Sequence, residues 1–328
     1  MKRWALVILL LATGTLLTLA VGVRDVPLAA LWQAILAPDP QNPDHVTILW
    51  IRAPRLAAGL VAGAALGMAG SVMQALTRNP LAEPGILGVN AGASLAIVLG
   101  ALLLGATDHG MMTALAFPGA ALAAVAVFAI GGGLSGDAGP IRLTLAGAAM
   151  NALLLSLVHG IVLMRADTLE VARFWVVGSL SSAIERPVGA MSLVVLGGGL
   201  IALAIAPRLE ALSLGSSLSR GLGVGPRMAQ AQALVAVTAL TGAAVSVAGP
   251  IAFLGLMVPP LARRIGGHVL RLELLAAAAL GAAFLLIADT AGRLIFAPAE
   301  IRAGIMTALL GGPVFVLIAR RLKPGEQA

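Results

Sequence analysis

The chain reads as an all-α polytopic membrane protein of about ten spanning helices arranged as two inverted halves. Of its 328 residues 59% are hydrophobic and only 11% charged, with a mean hydropathy of +1.01, which leaves too little polar surface for a soluble protein of this length. Apolar runs of membrane-spanning length recur along it, parted by short stretches of Pro, Gly and Arg. A broken-helix pattern, Pro80-Leu81-Ala82 followed by Gly85-Ile86, returns 170 residues later as Pro250-Ile251-Ala252 followed by Gly255-Leu256. The first copy follows an inward-running helix and the second an outward-running one, so the halves are expected to be inverted repeats with a transport path between them.

Composition excludes several functions. Without cysteine there are no disulfides, thiolate nucleophiles or sulfur-ligated metals. Lysine occurs only at Lys2 and Lys323, so a phosphate-cradling P-loop is absent and the chain does not hydrolyse ATP in that way. The net charge of +7 sits at the ends of apolar segments, as membrane flanks require, and does not read as a nucleic-acid surface.

In chain order, Lys2 and Arg3 precede an apolar run over about 4–23, which reads as a retained first helix because nine further apolar segments follow. Residues 24–50 form a proline-dotted loop with a short helix over about 28–36. The second and third helices fall at about 54–76 and 88–105. Between them Pro80 and Pro84 forbid a regular continuation, so PLAEPG reads as a re-entrant turn, or alternatively as a simple loop.

The fourth helix is expected at about 113–130 and the fifth from Arg142 to Met164. Residues 165–186 fit an amphipathic interfacial helix anchored by Phe174 and Trp175. The sixth helix falls at about 188–206, ending at Pro207, the seventh at 228–247, the eighth at 250–265, the ninth from Arg271 to Leu294 and the tenth at 303–318. Ten helices put both termini on one side. That side carries thirteen Lys and Arg residues against eight opposite, together the chain's 21, which makes it cytoplasmic. The whole of 1–328 is thus one transmembrane domain, with repeats at about 52–164 and 227–321.

Few residues carry chemistry. Asp289 is the only acid well inside a predicted helix, and Arg293 one turn later is expected to neutralise it as an i,i+4 pair. Asn151, Ser156 and His159 on the fifth helix either line a polar path or bond between helices. The four histidines show no metal-ligand spacing, and no nucleophile has a base partner. Gly63, Gly67 and Gly70 are expected to be close-packing positions. Residues 207–227 contain leucines at 212, 214, 218 and 222, which suit a short amphipathic helix with a docking partner or a solvated loop.

Seven motifs in order resemble one family. They are RAPR from Arg52, TRNPLAEPGILGVNAGAS from Thr77, RLTLAG from Arg142, RFWVVGSL from Arg173, SLGSSLSRGLGV from Ser213, GPIAFLGLMVP from Gly249 and ADTAGR from Ala288. They resemble the FecCD-type permeases of type II ABC importers, which include vitamin B12, haem and ferric-siderophore permeases, and are most similar to the enterobactin type. The resemblance implies a vitamin B12 importer permease-like fold in the bacterial inner membrane and no enzymatic activity of the chain itself.

It also implies partners and roles. The permease would form a homodimer or a heterodimer with a sister permease, with the path at their interface. A periplasmic substrate-binding protein would dock on Arg52, Arg55 and Arg293. Two cytoplasmic ATPase subunits, using ATP and Mg, would engage the coupling segment at Ser213, Leu214, Gly215, Ser216, Ser217, Arg220, Gly221 and Gly223, and this chain itself would bind no cofactor. Asn79 and Leu81 fall where the family narrows its path, and Asn151, Ser156, His159 and Thr307 would line it. Two positions depart from the family pattern: Pro259-Pro260 replaces proline-histidine, and Ser216-Ser217 stands where relatives often carry acids. A haem or cobalamin permease is the alternative within the family. Outside it, an ion-coupled secondary transporter is weakened by having Asp289 alone for coupling.

Overall fold

A computed structural model of the chain describes residues 2–320 apart from 23, 25, 106–108, 134–139, 166–174 and 176. Among the described residues every regular element is helical. The helices are α1 (Lys2–Ala20), α2 (Leu28–Leu36), α3 (Pro43–Val46), α4 (Ala53–Thr77), α5 (Val89–Leu104), α6 (His109–Ile130), α7 (Pro140–Met164), α8 (Val188–Ser213), α9 (Ser216–Gly221), α10 (Pro226–Ala248), α11 (Leu254–Gly266), α12 (Leu270–Ile295) and α13 (Ala303–Ala319). A π-helical turn, Thr47–Arg52, leads into α4. Seven of these helices are long and apolar enough to cross a membrane, and α5 and α13 are shorter apolar helices. With the 13-residue α11, all ten expected segments are present.

α4 is the central helix. It packs along α12 and α10 and also touches α8 and α11. Glycine makes this closeness possible, since lipid gives helices no hydrophobic reason to associate and packing must come from backbone approach. A Cβ on Gly63 would lie 2.6 Å from the Ala282 Cα, and one on Gly67 would strike the Ala277 carbonyl oxygen. α7 lies at the periphery, against α5, α6 and the segment before α5, with most of its length exposed.

Two expected boundaries move, each for its own reason. α8 continues through Pro207 to Ser213 instead of stopping at Ala206. Proline at 207 frees the carbonyl of Leu203, and the Arg271 Nε donates to that oxygen at 3.1 Å, so the helix passes the proline without an unsatisfied group. Leu212 therefore belongs to α8, where it is buried, and not to an amphipathic coupling helix. In α11, Pro260 frees the Leu256 carbonyl, which accepts from Gln74 Nε2 at 3.2 Å. The start of α11 also shifts from Pro250 to Leu254, because Gly249 (φ 72°) and Phe253 (φ 66°) both take left-handed backbone and hold the residues between them out of the helix.

The expected interfacial helix over 165–186 falls mostly outside the described residues. Trp175 is not an interfacial anchor: it is 5% exposed within the main core, with the Arg186 guanidinium 5.6 Å from its ring centroid. Residues 178–182 run non-helically over the second break, where Gly178 N–H donates to Pro250 O (3.1 Å) and Ser179 N–H to Ala248 O (2.7 Å). Burial pulls the Arg186 guanidinium down to about 10, Glu185 partly offsetting it.

The α4–α12 contact predicts that Gly63→Leu destabilises the protein by about 1–3 kcal/mol through overpacking. Its melting temperature in detergent should fall, whereas Gly197→Leu, at a position with open space around it, should leave it unchanged.

Candidate functional site

The two helix breaks meet. The first opens at Arg78, which takes left-handed backbone (φ 50°) and ends α4. Asn79 then closes an Asx turn, its Oδ1 accepting the Leu81 N–H at 2.9 Å. Both Asn79 and Leu81 are exposed. A 3₁₀ turn, Pro84–Leu87, and Gly88 at φ 74° lead into α5. Pro84 rests against Gly255 of the second break, and the Gly255 carbonyl, freed by Pro259, sits on Gly70 so closely that any Cβ there would collide. The recurrent proline-glycine pattern thus marks two segments packed on each other around α4.

Glu83 lies in this junction, a residue that the sequence reading passed over because it sits in a loop and not in a helix. Its carboxylate accepts from the Phe253 N–H, at the start of α11. It borders a small cavity of about 10 Å³, room for about one water, shared with Asn90, Thr241 and Ile251. Burial raises its pKa above the ordinary glutamate value, the Phe253 N–H partly offsetting the rise.

The residues expected on the path divide. Asn151 donates from Nδ2 to the Gly85 carbonyl at 3.2 Å and so fastens α7 to the first break. Ser156 and His159 are exposed on the outer face of α7, Ser156 bonding its own helix at Ala152 O (2.7 Å). Thr307 is fully buried and bonds Gly304 O at 3.0 Å.

At the other end of α4 lies an ionic cluster. Arg55 grips Asp289 with Nε (2.8 Å) and Nη2 (2.9 Å), while its Nη1 meets Glu300 at 2.8 Å. Arg293, expected to be the partner of Asp289, is second to Arg55: its Nε is 3.5 Å from Asp289, and its Nη groups reach Val21 O (2.8 Å) and Thr290 Oγ1 (2.9 Å). Arg52 donates to Leu19 O at 2.6 Å and to Arg24 O. Arg52 and Arg293 thereby satisfy carbonyls at the C-terminal end of α1, where cations also suit the helix dipole. Asp289 has no exposure, and Arg52, Arg55 and Arg293 have 3%, 5% and 3%. The arginines border a cavity of about 270 Å³ with Arg24 and Glu300.

The segment expected to couple to ATPase subunits contains a short helix, α9. α9 is flanked by Gly215 (φ 107°) and Gly223 (φ 76°), positions that favour glycine. Ser213 closes the end of α8 through Glu210 O at 2.6 Å, and Ser219 is buried. Leu214, Leu218 and Leu222 are instead 59%, 53% and 60% exposed, an apolar patch with Arg220 beside it at the end of the chain's own core.

Comparison with known proteins decides the family. The model of the FecCD transport family matches residues 9–321. The chain belongs to the FecCD transport family. Within it, the chain is 42% identical to the ferric enterobactin transport system permease protein FepD of Escherichia coli (strain K12), over 97% of this chain and 95% of that one. It is 37% identical to the iron(3+)-hydroxamate import system permease protein FhuB of Bacillus subtilis (strain 168), over 96% of this chain and 82% of that one. Among solved structures, an inward-facing chain of the metal-chelate ABC transporter type superposes with a TM-score of 0.81 at 25% identity, covering 98% of this chain and 99% of that one. The chain therefore shares the all-helical fold of a metal-chelate ABC transporter chain, and it is a multi-pass membrane protein.

Two outcomes follow from this geometry. Asp289→Ala leaves buried guanidiniums without their carboxylate and should cost about 3–5 kcal/mol, read as a lower unfolding midpoint in detergent. Because the raised pKa of Glu83 makes the folded state hold its proton more tightly than the unfolded chain, stability should fall as pH rises from the ordinary glutamate value through the raised one. Melting of Glu83→Gln should lack that component, so its advantage over the wild type should widen as the pH rises above the ordinary glutamate value.

Proposed function

We propose that this chain is the transmembrane permease subunit of an ATP-driven importer that carries a ferric siderophore into the cytoplasm. The observation that carries this reading is the near full-length likeness to permeases whose names specify ferric enterobactin and iron(3+)-hydroxamate. Composition supports it, since a chain without a P-loop lysine must take its energy from elsewhere.

In this reading two ATPase subunits grip α9 from the cytoplasm through Leu214, Leu218, Leu222 and Arg220, the glycines at 215, 221 and 223 letting the segment turn tightly. Ser213, Ser216 and Ser217 complete that contact. A second permease subunit, a copy of this chain or a sister, covers the exposed face of α7, and the path runs between the two. Ser156 and His159 supply its few polar groups, Asn151 ties its wall to the first break, and Asn79 and Leu81 narrow its cytoplasmic end. Thr307, fully buried, lies off the path, on a helix packed against α11 and α12. Both termini face the cytoplasm, by the distribution of Lys and Arg, and a periplasmic binding protein delivers the chelate to the opposite end, where Arg52, Arg55 and Arg293 lie.

Proteoliposomes holding this chain with its ATPase and binding protein should take up ⁵⁵Fe-enterobactin only when ATP is inside, with uptake at background in its absence. Uptake indifferent to ATP but driven by an imposed proton gradient would overturn the reading. Uptake of haem or cobalamin in place of the siderophore would change its cargo alone.

A further inference from the structure

The arginines assigned to binding-protein docking are buried, and the way in which they are buried carries an inference of its own. Arg55 has two kinds of partner. Asp289, wholly enclosed, holds the Nε and Nη2 edge at 2.8 and 2.9 Å and fixes the guanidinium plane. Glu300 takes the remaining Nη1 at 2.8 Å, and its side chain is 34% exposed, on a stretch, Leu294–Glu300, in which every residue is exposed. Glu300 is also the only carboxylate among the residues bordering the 270 Å³ cavity, whose other charged members are Arg24, Arg52, Arg55 and Arg293. Arg24 is already paired with Asp44 at 3.0 Å.

We infer that Glu300 occupies, from within the chain, the place that an acidic side chain of the binding protein takes on docking, so that docking exchanges one carboxylate on Arg55 for another. This rests on the importer reading above. Charge supports it. With Glu300 in place, Arg55 and Arg293 face the two carboxylates of Asp289 and Glu300, and the charges balance. With Glu300 turned out, they face Asp289 alone, and a cavity open to solvent gains one unbalanced positive charge. An incoming Asp or Glu restores the balance that Glu300 gave up. Because Glu300 is part-exposed, solvent screens its bond to Arg55, so the exchange has a low cost. The buried bidentate pair with Asp289 need not break, and Arg55 keeps its orientation throughout. Glu300 thus acts as a competing anion that weakens docking and spares the empty permease an uncompensated cationic cavity.

The test uses the complete transporter in nanodiscs and the binding protein that supports uptake in the proteoliposome assay. Glu300→Gln should dock about three- to tenfold more tightly than the wild type, with a steeper dependence on salt, because one more positive charge faces the partner. Its melting temperature should stay within a few degrees, since Asp289 still holds Arg55. Docking by Glu300→Gln that is unchanged or weaker, or a salt dependence that does not steepen, would overturn the exchange. Glu300→Asp provides the second arm: it keeps the competing charge and should dock like the wild type, and tighter docking by it would equally sink the proposal. Wild-type docking in the same assay separates the two levels, because its absence removes the importer reading, whereas wild-type docking with an indifferent Glu300→Gln removes only the role of Glu300.

Discussion

Gly63, Gly67 and Gly281 allow α4 and α12 to touch backbone to backbone, and most of the molecule is arranged around that contact. In hydrocarbon, helices gain nothing from hiding apolar side chains, so association has to come from dispersion at short range and from polar groups that find partners inside the protein. The α4–α12 seam supplies both. Its middle is close-packed glycine and alanine, and one end is closed by the Arg55–Asp289 pair, two buried charges of opposite sign in bidentate geometry. Since a buried ion pair repays its desolvation only when its geometry is good and its other donors are bonded, the pair depends on the seam as much as the seam on it. The carbonyls at the end of α1 complete the arrangement by taking up the guanidiniums of Arg52 and Arg293.

The same rule explains how so many prolines fit. Pro207, Pro259 and Pro260 each release a carbonyl four residues earlier, and each released oxygen meets something: Arg271 Nε at Leu203, the Gly70 backbone at Gly255, Gln74 Nε2 at Leu256. Two of those three compensations reach α4. Proline therefore does here what it seldom does in a soluble helix, freeing acceptors that bind one element to the next. The breaks at 78–88 and 249–253 carry this furthest, with Glu83 and the Phe253 N–H joining across them.

Much of this was legible in the sequence. Apolar length set the ten helices, the short helix at Leu28–Leu36 was found to the residue, and the repeated proline-glycine pattern located both breaks before any packing was visible. Glycine spacing likewise announced the close-packed face of α4. What escaped was pairing between distant parts of the chain. Asp289 was matched to Arg293 because sequence separation shows only the i,i+4 neighbour, while Arg55, 234 residues away, makes the better bond. The end of α8 was misplaced because Pro207 is visible in the sequence and the compensating Arg271 is not. Trp175 was read as an interfacial anchor from its aromatic character, although the segment folds back over the second break and buries it. Glu83 was missed because a loop position gives no hint of enclosure.

The two ends of α4 differ in a way that bears on transport. The end at Arg52 and Arg55 is built from buried ions and satisfied carbonyls, a construction that resists deformation because any shift strands a charge. The end at Arg78 is a left-handed turn, an Asx turn and a 3₁₀ turn in succession, tied to its surroundings by hydrogen bonds from Asn151 to Gly85 O, from the Phe253 N–H to Glu83 and from Arg78 to Leu212 O. Separate hydrogen bonds contribute about 0.5–3 kcal/mol each, and breaking any of them parts no buried ion pair, so the second end is the cheaper one to rearrange. A permease whose helices move as rigid bodies needs one fixed end and one yielding end on the same element. In the importer reading proposed above, the fixed end would face the binding protein and the yielding end would lie near the short helix offered to an ATPase, with a close-packed glycine seam, which cannot compress, between them.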